Sequence, residues 1–185
     1  MRKHLRTTAR TLDSFTRLVG EAISWLTLGM VLLTFVVVLL RYVFSVGWVW
    51  MQESVLYFHS AVFLLGSAYT LLNKGHVRVD ILYQTLSSRK KAIIDAFGVL
   101  FLLFPMLWLI YTEAMPYVVA SWEVRESSSD AGGLTGVYLL KTLILSFVGL
   151  LAVQGISELA KSILTLTEPG SKPPSETGSK EEVRS

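Results

Sequence analysis

The sequence predicts an all-α integral membrane protein, with four transmembrane helices plus amphipathic surface helices and both termini on the inner side. Three observations carry this. Hydrophobic residues make up 52% of the 185 residues, charged residues only 17%, and mean hydropathy is +0.52; a soluble domain keeps roughly a quarter of its residues charged. The charges are segregated, leaving long uncharged runs at 22–40, 54–73, 96–112 and 142–157. Of the 17 Lys and Arg, all but Arg41, Arg125 and Lys141 fall in the N-terminal segment, the second connection and the tail, and such a bias marks the inner side of a membrane.

In residues 1–20, Leu5, Ala9, Leu12, Phe15 and Val19 recur at helical spacing with Arg6, Arg10, Asp13 and Arg17 off that stripe. This reads as a basic amphipathic helix lying on the inner leaflet. It resembles a signal peptide, but the apolar run is too long and no small-x-small site follows it before Arg41-Tyr42, so it reads as a retained helix. The first span is expected over 21–41 and an outer connection over 42–53, followed by the second span over 54–73. An inner connection over 74–88 holds a short surface helix near 80–86. The third span covers 89–113, with Pro105 expected to kink it, and an acidic outer connection covers 114–133. The fourth span covers 134–160, and the tail from 161 is expected to be disordered from about 168, where Pro, Gly, Ser, Lys and Glu replace apolar periodicity. Crossing about 30 Å of hydrocarbon takes roughly 20 apolar residues, so the fourth span is long enough only with Lys141 inside it. Trp48 and Trp50 fall in the first outer connection, and Trp108, Tyr111, Tyr117 and Trp122 crowd the outer end of the third span, as interfacial rings do.

The same features narrow the function. A pI near 9.2 and net charge of +3 come from basic clusters beside apolar runs, which are topogenic rather than a nucleic-acid stripe. The absence of cysteine excludes disulfides, iron–sulfur clusters, Cys-bound zinc and thiol catalysis. No phosphate loop, Ser-His-Asp arrangement or metal-spaced cluster appears, so no catalytic, cofactor or metal residue is expected and the chain does not read as an enzyme.

Ionisable residues within spans are the default functional candidates. His59 has no second histidine at similar depth for haem and no carboxylate for a proton relay; with Ser60, Gly66 and Ser67 it forms a polar, small-residue arc expected to meet other helices. Lys141 either snorkels outward or is neutralised by Glu113, Glu53 or a partner's carboxylate. Gly132 and Gly136, at GxxxG spacing, are expected to begin the fourth helix.

One set of residues is more specific. Arg41-Tyr42 ends the first helix, Glu53 opens the second, Gly66-Ser67-Ala68 lies within it, and His76-Val77-Arg78-Val79-Asp80 follows. With Asp130-Ala131-Gly132-Gly133-Leu134, Lys141 and Gln154-Gly155, this order resembles the small membrane subunit of TRAP (tripartite ATP-independent periplasmic) transporters, the DctQ family, over roughly 15–165. The resemblance implies a scaffold in the bacterial inner membrane that pairs with a large, elevator-type DctM-like subunit. A periplasmic DctP-like binding protein would deliver an organic acid, and sodium would bind the large subunit rather than this chain. Arg41 and Glu53 are expected to fix the turn between the first two helices, and His76 and Asp80 to brace the inner surface helix against the partner, or else merely to mark interface polarity. Two other readings compete. A stand-alone four-helix multidrug-type transporter would need an embedded carboxylate, which the first helix lacks; an accessory membrane-anchor subunit of an oxidoreductase is disfavoured by the histidine count.

Overall fold

A computed structural model describes residues 2–75 and 86–167. His76, Asp80, the short surface helix except Leu86, and the tail beyond 167 lie outside the described residues. The described chain is helical: α1 (Arg2–Val43), α2 (Val49–Leu72), α3 (Ser88–Gly98), a π-helical segment (Val99–Leu103), α4 (Phe104–Glu123) and α5 (Val137–Thr167). Since α3, the π segment and α4 run on as one rod, four rods are long and apolar enough to cross a membrane. Their antiparallel succession puts residues 2, 75, 88 and 167 at one end, here the basic end, and the connections 44–48 and 124–136 at the far end.

The basic N-terminal stretch is not a separate surface helix. α1 has 42 residues, or about 63 Å at about 1.5 Å per residue, and no break divides its charged half from its apolar half. The cause is α5, which overshoots in the same direction and offers the apolar stripe a protein surface in place of the leaflet. Ala9 and Thr16 are buried, and the Ser157 hydroxyl donates to the Ala9 carbonyl at 3.2 Å.

Two helices end in the same cap. Gly75 N–H bonds Thr70 C=O at 2.9 Å and Lys74 N–H bonds Leu71 C=O at 3.1 Å; Glu126 N–H bonds Ser121 C=O and Arg125 N–H bonds Trp122 C=O at 3.0 and 3.2 Å. These are Schellman closures, which need a left-handed residue one past the cap. Lys74 and Arg125 take that role at φ 55° and 45°, with a cation where the helix dipole favours one.

Pro105 acts differently from a simple kink. Proline has no N–H to give the carbonyl four residues back, and its ring crowds that carbonyl. The chain meets this by widening the turn just ahead: Phe104 N–H reaches Val99 C=O, five residues back, and the rod continues through both Pro105 and Pro116. Pro116 is likewise absorbed inside α4.

α5 is the hub. It packs against α1, α2 and both halves of the third rod, while that rod leans on α5 alone to any extent. Ala68, Leu107, Val148 and Leu151 form the buried centre. Close approach of the third rod depends on Gly155, where a Cβ would lie 2.9 Å from a Leu103 methyl and 3.6 Å from Phe104 and Val99. Gly132 is not part of α5; it sits in the preceding turn at φ 80°, and the helix begins at Val137.

Candidate functional site: polar clamps at the two ends of the bundle

Charged residues in a lipid-facing protein settle where they can be paired or wetted, and here they gather at the two ends. At the far end, Glu53 stands in the first turns of α2. Its carboxylate reaches across to the connection between α4 and α5, accepting the Ser128 hydroxyl and, at 2.6 Å, the Leu134 N–H. The connection is itself closed, with Ser128 N–H on Leu134 C=O at 2.9 Å and Gly133 N–H on Asp130 C=O at 3.0 Å. Ser128 Oγ also accepts the Asp130 N–H at 3.1 Å, so the hydroxyl is used as both donor and acceptor. Gly133 lets the loop come this near: a Cβ there would lie 2.8 Å from Glu53 Oε1 and collide with Ser128.

A second clamp lies beside it. Lys141, a turn into α5, pairs with Glu126, and its ammonium stands 3.8 Å from the centre of the Tyr117 ring, a cation–π distance. Donation from the Lys141 ammonium, above all, holds the Glu126 carboxyl below the ordinary glutamate range. Trp122 Nε1 donates to Thr142 Oγ1 at 2.8 Å and meets Tyr138 edge-on at 4.7 Å. The end of α4 and the start of α5 are thus joined by an ion pair, a ring face and a hydrogen bond.

Two expectations are corrected here. Lys141 is neutralised by a carboxylate, but by Glu126 rather than Glu113 or Glu53, and the Schellman turn at Arg125 delivers it. Glu53 does not fix the turn between the first two helices with Arg41. It holds the connection between the last two, and Arg41 is exposed with no side-chain bond among the described residues.

The basic-end clamp was not foreseen. Asp13 of α1 accepts Ser157 Oγ at 2.6 Å and Gln154 Nε2 at 3.2 Å, and pairs with Lys161 at 2.8 Å. Lys161 also pairs with Glu158 at 2.8 Å. Gln154 and Ser157 are fully buried. The signal was in the sequence: Gln154, Ser157, Glu158 and Lys161 stand at i, i+3, i+4 and i+7, one polar stripe down an otherwise apolar helix.

The predicted arc on α2 divides. Ser60 and Ser67 are partly covered, whereas His59 is exposed and stacks on Phe63, at 6.3 Å. Gly66 faces open space, with nothing within 4 Å of where a Cβ would be. Among the described residues, neither is shown packed against another helix. Of the seven motif residues, then, the structure brings Glu53 and Lys141 to neighbouring clamps, leaves Arg41, His59 and Gly66 facing outward, and does not describe His76 and Asp80.

The family model for the DctQ component of tripartite ATP-independent periplasmic transporters matches residues 30–165, from mid-α1 nearly to the end of α5. No curated protein matches, and neither does any solved structure.

Proposed function

Because the chain belongs to the DctQ family of TRAP transporter components, we propose that it is the small scaffolding subunit of a secondary transporter in the bacterial inner membrane, with both termini cytoplasmic. On this reading it supports a large, elevator-type membrane subunit in sodium-driven uptake of an organic acid or related solute. A periplasmic binding protein delivers that solute.

The observation that carries the reading is the placement of charge. A helix bundle that carries its own substrate needs broken helices or paired polar groups near the midplane. In the described rods the ion pairs sit at the ends, and the buried centre is Ala68, Leu107, Val148 and Leu151. Clamps at both ends with an apolar middle make a strut. A strut is what a partner needs when one of its domains moves against a fixed frame.

The proposed orientation, with the far-end connections in the periplasm, is supported by the Lys and Arg bias. The test is reconstitution. Proteoliposomes holding this chain and the large subunit, given the binding protein and a sodium gradient, are expected to accumulate solute, and omission of this chain is expected to abolish uptake. Sodium-driven accumulation by this chain alone would overturn the reading.

A further inference from the structure

We propose that one face of α2, the stripe Gln52, Leu56, His59, Phe63 and Gly66, is the seat of a helix from the transporter's large membrane subunit. The inference rests on reading the chain as the small subunit and names the surface that would do the pairing.

The spacing of these residues alternates four and three along the chain, the heptad seam over which two helices stay in register. At 100° per residue the stripe points away from the face that packs inside the chain, where Ala68 meets α5, Tyr69 covers Gly20 of α1 and Phe58 meets Gly29. Most of the stripe is bare: Leu56 is 53% exposed and Phe63 70%, Gln52 and His59 are exposed as well, and half-buried Gly66 has open space where a Cβ would be.

Lipid is a poor occupant for it. His59 lies about 15 Å along a helix about 36 Å long, so its imidazole would stand in hydrocarbon with ring nitrogens unsatisfied, which is expensive. A partner helix can bond the imidazole and Gln52, and Gly66 leaves a notch into which its backbone can settle. The exposed flanks of α1 and of the third rod, by contrast, present Trp25, Phe35, Phe101 and Trp108, side chains that lipid solvates well. A tripartite transporter supplies a second membrane component, and a polar seam selects it over acyl chains.

The experiment uses the full chain co-expressed with the large subunit. p-Benzoyl-phenylalanine is placed in turn at Leu56 and Phe63 and, on other faces, at Phe35 and Trp108. Photo-cross-links to the large subunit are expected from the first two positions and not from the second two. His59→Leu is expected to lower co-purification about three- to tenfold, the loss of one interhelical hydrogen bond, with the chain's own thermal stability unchanged. Cross-links from Phe35 or Trp108 alone, or co-purification with none from the stripe, would show that another face docks. A stripe cross-linked to a second copy of this chain would make it a homodimer seam. Either result overturns the inference and leaves the scaffold reading standing. Failure of the unaltered chain to co-purify with the large subunit removes both.

Discussion

Lys141 is held from two directions, by the Glu126 carboxylate and by the Tyr117 ring face, and the two holds respond differently to acid. The hold that acid weakens is the carboxylate: Glu126 has a lowered folded pKa because Lys141 donates to it. A lowered folded pKa means that the unfolded chain binds the proton more readily. The pair's contribution is therefore complete at neutral pH, and it fades as pH falls below the unfolded glutamate value of about 4.3 and through the lowered folded one. In detergent-solubilised protein, the melting temperature of the parent chain should fall more steeply below about pH 5 than that of Glu126→Gln. Lys141→Met should flatten the same slope, and the double variant should lose less than the two single losses added together. Parallel pH curves for parent and Glu126→Gln would rule the pair out as a stabilising clamp.

At the scale of elements, the four rods were legible because lipid imposes one rule on every span, a long apolar run bounded by charge. What α5 does was not legible. Glu126 stood out only as one of several acidic residues in a connection, since its use depends on a turn three-dimensionally set by Arg125. Asp13 looked like the polar side of a surface helix until α5 was seen to run alongside α1. A periodic stripe says that a helix has a partner; it does not say whether the partner is lipid or protein. The same limit applies to Gly66 and Gly155, alike as letters, of which one faces open space and the other seats Leu103. That contrast is testable. Gly155→Ile should wedge the third rod off α5 and destabilise the chain by about 1–3 kcal/mol. Gly149→Ile, at a position with nothing within 4 Å of a Cβ, should leave the melting temperature nearly unchanged. Equal losses at the two positions would mean that helix propensity rather than close approach sets the requirement.

Across the whole molecule, α1 at about 63 Å is twice as long as the roughly 30 Å hydrocarbon layer, and α5, with 31 residues, also exceeds it. Their surplus lies at the same end, joined by the Asp13 clamp, so the bundle has one long, basic end and one short end closed by the Glu53 and Lys141 clamps. In the proposed orientation, which the Lys and Arg bias supports, the long end lies in the cytoplasm. The chain offers a clean way to ask, because it has no cysteine and any thiol introduced is the only one. Thr8 lies on the exposed side of α1 and Ser129 in the exposed part of the far-end connection, and neither is a clamp residue. In intact cells of a bacterium whose outer membrane has been made permeable, a membrane-impermeant maleimide should label Ser129→Cys and spare Thr8→Cys. After the inner membrane is opened, it should label both. Labelling of Thr8→Cys alone in intact cells would invert the orientation. The clamps that close the short end would then face the cytoplasm.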